Sequence, residues 1–258
     1  MDCRASLLLG LGLLAGTAGC TPTSFVKPSE AQSAKAEKPA ETKKLAKRKP
    51  SAEACVTFGD FLLKEATGGK RSEVEQRQML DQARRAYQQA LEINPKYLPA
   101  HRGLAQVYLA EGDSERAFTS YQASLKVFPQ EPLLWYDLGL AHGRNKEWQP
   151  AVDALAQACD LAPGDRRYVH ALGYCLARAG AYDQSVDCFR RVDSEARAHY
   201  NVARMLLQMN QTELGRQHLQ LALKIEPELK EAKELLARAD AGHGSAITVV
   251  PVQFEQQR

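Results

Sequence analysis

The sequence predicts an all-α fold, an α-solenoid of about five helix–turn–helix repeats closed by a C-terminal capping helix. Three observations carry this. The 34-residue block 98–131 reads as two short amphipathic helices around a glycine turn, and it recurs further along the chain in nearly the same frame. Ala, Leu and Gln are plentiful and aromatics make up only 7%, a composition suited to helices. A single hairpin of this size buries too little apolar surface to stand alone, so the copies must stack.

In block 98–131 the first helix carries His101, Leu104, Ala105 and Tyr108, an i, i+3, i+4, i+7 stripe. Glu111-Gly112-Asp113 breaks it, and a second helix carries Ala117, Tyr121 and Ser124 before Pro129. Block 132–165 repeats the pattern with Trp135, Leu138, Gly139 and His142, then Ala151, Leu155, Ala158 and Pro163. Block 166–195 is shorter and lacks the closing proline; it holds Val169, Leu172, Gly173 and Leu176, then Ser185, Phe189 and Val192. Block 196–229 restores the frame with His199, Val202, Ala203 and Leu206, then Gly215, Leu219, Ala222 and Pro227.

This period and these positions resemble the tetratricopeptide repeat (TPR) family, with small residues where two helices touch and large ones between them. His142 and Gly215 depart from the family pattern, which has an aromatic or Leu and an Ala there.

Residues 51–97 read as a divergent first repeat, with Phe58, Gly59 and Leu62, then Ala83, Tyr87, Ala90 and Pro95. Gly68-Gly69 breaks the chain, and Ser72 with Glu75 forms a capping box. That box opens a long helix expected over Glu73 to Asn94, as suits a terminal repeat shielding an open face. At the other end, 228–240 reads as a cap, with Leu229, Ala232, Leu235, Leu236 and Ala239 inward and Lys230, Lys233 and Arg238 outward. Residues 241–258 read as a flexible tail. Its short β-prone run, Ile247 to Val252, is either a frayed end or a strand to add to a partner edge.

Residues 1–20 read as an export signal: Arg4, an apolar run from Leu7 to Ala15, then Gly16-Thr17-Ala18-Gly19-Cys20. The run is too short for a membrane span. Small residues before Cys20 resemble the bacterial lipobox, although Thr17 stands where Leu is usual. The resemblance implies acylation of Cys20 and a lipid-anchored, periplasm-facing protein of the cell envelope. Thr21, which is not Asp, resembles the outer-membrane sorting pattern of such lipoproteins, and that resemblance implies the outer rather than the inner membrane. The alternative is an ordinary signal cleaved near Ala18.

Residues 21–50 read as a disordered basic linker. They carry Lys27, Lys35, Lys38, Lys43, Lys44, Lys47, Arg48 and Lys49 against Glu30, Glu37 and Glu41. The whole chain is +3, so the basic charge belongs to this linker and the remainder is slightly acidic. The cluster is either a solvated spacer or a contact for anionic lipid or an acidic polymer. Nucleic acid is not an expected partner.

Beyond Cys20, the cysteines Cys55, Cys159, Cys175 and Cys188 show no CxxC pair and no metal spacing. Cys159 and Cys175 read as core residues, with a disulfide between them as the alternative. No phosphate-binding loop, HExxH or GxSxG motif is present. His170 and Cys175 diverge by about 140° on a helix, which disfavours a dyad. The expectation is a protein without catalytic residues, metal or cofactor.

In the TPR family the free face of each first helix lines a peptide-binding groove. That resemblance places Arg102 and Gln106 on it, with Tyr136 and Arg144, then Arg167, His170, Tyr174 and Arg178, then Arg197, Tyr200, Arg204 and Gln208. No carboxylate falls at these positions. Arginine forks pair with carboxylates and tyrosines give rigid contact area. The expected partner is an acidic protein or peptide.

The expected function is a membrane-anchored scaffold for envelope complex assembly, similar in layout to the lipoproteins that assist type IV and Tad pilus assembly. The alternative is a cell-wall accessory protein whose tether holds an acidic polymer while the repeats dock a wall enzyme.

Overall fold

The computed structural model describes residues 49–69 and 71–241. The leader with Cys20, most of the basic linker and the Ile247 to Val252 run lie outside the described residues. Eleven helices account for nearly all of the rest. They are α1 (Ala52–Thr67), α2 (Glu73–Ile93), α3 (Leu98–Ala110), α4 (Ser114–Val127), α5 (Pro132–Arg144) and α6 (Trp148–Leu161), then α7 (Arg166–Arg178), α8 (Tyr182–Arg190), α9 (Glu195–Gln208), α10 (Thr212–Ile225) and α11 (Lys230–Ala241). None is long and apolar enough to cross a membrane.

Five antiparallel pairs, α1/α2 through α9/α10, stack in chain order, and α11 packs on the last. Each first helix also touches the next first helix, so α1, α3, α5, α7, α9 and α11 form one row. Local chemistry sets the ends. Ser51, Ser72, Asp113, Asp165 and Ser194 cap their helices by accepting from backbone N–H groups of the first turn. At α2 the box is reciprocal, with Glu75 accepting the Ser72 N–H at 2.9 Å.

The turn inside each repeat uses one device. The fifteenth residue of each block has positive φ: Gly112 at 79°, Lys146 at 62°, Gly180 at 86° and Asn210 at 59°. This left-handed residue ends the first helix and aims the second back along it. Gly and Asn adopt it easily, whereas at Lys146 it costs on the order of 1 kcal/mol.

The apolar stripes are broader than the spacing predicts. In α3 the fully covered residues are Ala100, Gly103, Ala105 and Val107, while His101, Leu104 and Tyr108 are half-buried. In α7 eight of 13 residues are buried, from Tyr168 round to Ala177. A first helix in the middle of the stack has neighbours on three sides, namely its own second helix and the first helices before and after it. It is therefore buried nearly all round.

The third repeat is the exception in length. Its second helix α8 has 9 residues, where α4, α6 and α10 have 14. The chain returns to α9 one turn early, and this carries Asp193 under α7.

Candidate functional site

The row of first helices brings the expected site residues to one side, but it does not leave them equivalent. Arg102 Nε donates to Asp137 Oδ2 at 2.7 Å across to α5. Burial pushes the Asp137 carboxyl upward, and Arg102 opposes that shift. Arg167 folds back onto Asp165, the cap of its own helix, at 2.6 Å. Arg197 reaches Glu231 of α11 at 3.7 Å.

His170 Nε2 lies 3.0 Å from Asp193, poorly aligned for a hydrogen bond. Asp193 also takes an ion pair from Arg166 and a bond of 3.0 Å from Asn201 Nδ2. The expectation of an acid-free face is therefore overturned. Asp137, Asp165 and Glu231, from a neighbouring position, a cap and the last helix, pair with three of the expected arginines, and Asp193, from a loop, pairs with Arg166 beside His170.

Tyr136 moves inward. It is 9% exposed, its ring packs on Tyr168 with centroids 4.9 Å apart, and burial pushes its phenol up to about 12. It belongs to the core and offers little surface to a ligand. Tyr174, Tyr200, Gln106 and Gln208 are half-buried and remain at the face.

What remains is a smaller cluster. Among the described residues Arg144, Arg178 and Arg204 make no ion pair, and Arg178 Nε and Arg204 Nε are buried without a hydrogen-bond acceptor. Arg178 lies over two rings, 4.9 Å from the Trp148 centroid and 5.7 Å from that of Tyr174. Such stacking fixes the plane of a guanidinium and leaves its edge to meet an oxygen. Trp148 sits on a second helix and was missed by position-based reading. Its signal in the sequence was a lone tryptophan opening a helix next to the repeat turn.

The four cysteines Cys55, Cys159, Cys175 and Cys188 are free and buried. Cys159 and Cys175 are not joined. Burial pushes the Cys159 thiol up to about 11 and those of Cys175 and Cys188 up to about 12, so they stay protonated at neutral pH.

Tetratricopeptide repeat family models match residues 76–136, 136–194 and 196–229. The chain belongs to the tetratricopeptide repeat family. Among curated proteins this TPR chain is similar to anaphase-promoting complex subunit 3 of Schizosaccharomyces pombe, 21% identical over 57% of this chain and 23% of the relative. It is also similar to anaphase-promoting complex subunit CDC16 of Saccharomyces cerevisiae, 20% identical over 62% of this chain and 24% of the relative. The TPR chain thus spans about a quarter of the length of these relatives.

Among solved structures it resembles YrrB, a TPR protein with an unusual peptide-binding site. The identity is 23% and the TM-score 0.50, over 76% of this chain and 97% of that one. It also resembles MamA, with 21% identity and a TM-score of 0.50 over 78% and 98% of the two chains. At these identities the structural likeness concerns the fold alone.

Three half-buried histidines are expected to make the repeats sensitive to acid. His199 Nδ1 and His218 Nδ1 meet at 3.0 Å between α9 and α10. Desolvation lowers both, more than Glu195 near His199 or Asp183 near His218 raises them; Arg190 adds to the lowering at His199. His170 is lowered by desolvation, and by Arg166 and Arg204, against Asp193. Each binds its proton less readily folded than at its ordinary 6.5, so below that pH the unfolded chain takes up protons first and stability falls. Urea melts are expected to shift to lower midpoints between pH 7 and pH 5, and the shift should shrink in a His199→Gln/His218→Gln variant.

Proposed function

We propose that this TPR protein is a non-catalytic scaffold that holds an acidic, partly apolar protein segment on the row of its first helices. The single observation that supports this reading is the pair of buried, acceptor-less guanidinium nitrogens at Arg178 and Arg204, on a face whose other cations are mostly neutralised. An unpartnered buried donor costs about 1–3 kcal/mol, and a carboxylate ligand would relieve that cost. Tyr174, Tyr200 and Trp148 supply rigid area beside the charges.

A partner crosslinked in intact envelopes and then purified is the ligand to titrate. Arg178→Glu is expected to weaken its binding at least tenfold, since a shielded charge-assisted bond contributes about 1.5–3 kcal/mol, and to flatten the salt dependence. Tyr174→Ala should weaken binding while keeping the salt dependence, because it removes area and leaves charge in place. Unchanged affinity in both variants would reduce this face to a solvated surface.

The proposed place of work is the cell envelope, through a lipid on Cys20 and the basic linker as a tether. Changing Cys20→Ser is expected to move the protein from the membrane fraction to the soluble periplasm. Retention at the membrane after a salt wash would mean that acylation is not the anchor.

A further inference from the structure

His199 and His218 stand 19 residues apart, a spacing with no metal signature in the sequence, and the pairing of α9 with α10 brings them together. Their Nδ1 atoms lie 3.0 Å apart, with ring centroids at 5.2 Å and planes tilted by 42°. Both residues are half-buried. Among the described residues no three metal-ligating side chains are gathered at one point, so an ion here would be held first by two imidazoles.

The separation suits chelation. Two nitrogens bound to one ion at about 2.0–2.1 Å stand about 2.9 Å apart at a right angle and about 3.3 Å apart at the tetrahedral angle. The observed 3.0 Å falls between these values. One hydrogen lies between the two Nδ1 atoms. Moved to Nε2 by tautomerisation, it leaves a lone pair on each Nδ1 with no proton lost, and a small pivot of each ring turns both toward one point.

The surroundings favour a cation other than the proton. Desolvation lowers the proton affinity of both imidazoles, so they are neutral at pH 7, the form a metal needs. The negative field of Glu195 reaches His199 and that of Asp183 reaches His218, opposed by Arg190 at His199. Glu195 stands one turn before His199, at i and i+4. It is exposed, and its ion pair with Arg190 is long at 3.9 Å, so its carboxylate can turn toward the pair.

We propose that His199 and His218 bind a divalent late transition-metal ion through both Nδ1 atoms, with Glu195 and water completing its shell. Imidazole pairs select such ions, Cu²⁺ above Zn²⁺, over Mg²⁺ and Ca²⁺, which take oxygen sets. The ion ties the two helices of one repeat together, and the proposal does not draw on the arginine face.

The test uses the full chain without an affinity tag, stripped of metal by a chelator, with Zn²⁺, Cu²⁺ and Mg²⁺ alone as probes. At about 100-fold above its dissociation constant, Zn²⁺ is expected to raise the thermal midpoint by about 5 °C at neutral pH. Cu²⁺ should bind more tightly and Mg²⁺ should have no effect. Calorimetric titration should show one equivalent of Zn²⁺. Both responses should be lost in His199→Gln, in His218→Gln, and at about pH 5, where the imidazoles take up protons instead. Pulsed electron paramagnetic resonance of the parent chain with one equivalent of Cu²⁺ needs no variant to fold, and it should show two coupled imidazoles.

An unchanged or lowered midpoint with no heat of binding would overturn the proposal. So would equal Zn²⁺ binding by the single-histidine variants, or a copper signal with one imidazole or none.

Discussion

Replacing Tyr87 with alanine is expected to lower the unfolding free energy by about 3–5 kcal/mol. The ring has no exposed surface. It lies in a slot made by two glycines on different helices, Gly59 of α1 and Gly103 of α3. A Cβ at Gly103 would stand 2.2 Å from the ring, and one at Gly59 would stand 2.9 Å away. The slot exists because those residues have no side chains, so nothing nearby can swing in to fill the void. Tyr87→Phe removes only the hydroxyl that donates to Asp60 at 2.6 Å, and about 1 kcal/mol of loss is expected.

Because each repeat leans on its neighbours, the damage from Tyr87→Ala should concentrate in the first two repeats. Trp135 and Trp148 report from α5 and α6, beyond the lesion. In urea the far-ultraviolet dichroism is therefore expected to begin falling before the tryptophan fluorescence changes. A variant that melts like the parent would mean that the slot carries little energy.

The second large effect is expected at Asp193. Its side chain is 4% exposed and meets Arg166, His170 and Asn201, while Arg166 also donates to the Val192 carbonyl at 2.6 Å. These contacts join α7, the loop after the short helix α8, and α9. Asp193→Ala leaves the buried Asn201 amide without its acceptor and removes the charge partner of Arg166, and about 1–3 kcal/mol of stability should be lost. Arg166 is well exposed and can be rehydrated, which keeps the cost below that of a fully buried pair. Asp193→Asn retains an acceptor for Asn201 and should cost less.

Scanning calorimetry of Asp193→Ala, Arg166→Ala and the double variant would measure the coupling. Strict additivity would mean that the carboxylate does not hold the short repeat. His170 and Arg204 stand on the helices this carboxylate joins, so ligand affinity at the arginine face is expected to fall with stability.

Much of the architecture was legible in the residues themselves. The period of 34 and the small residues at fixed places specify stacked hairpins, because helices can approach closely only where side chains are small. The Ser72 and Glu75 box opens α2 at Glu73, as its chemistry requires. The last helix buries Ala232, Leu235 and Ala239, with Leu229 buried just before it, as the spacing requires. These are local demands of backbone hydrogen bonding and helical geometry, and neighbours in sequence satisfy them.

The arginine face was only half legible. Its positions follow from the repeat, but the state of each cation depends on residues elsewhere in the chain. Arg102 meets Asp137 and Arg166 meets Asp193, 35 and 27 residues away. Trp148, on a second helix, underlies Arg178 from a first helix. Tyr136 takes a groove position by number, yet it is buried against Tyr168. The four-residue shortening of the third repeat was visible in the sequence, but its consequence was not. By itself the sequence determined the hairpins, their turns and their order, because these rest on local geometry. Which charges are quenched and which stay open was decided only by the tertiary structure, because ion pairing depends on a few ångströms of separation between helices that the repeat period does not specify.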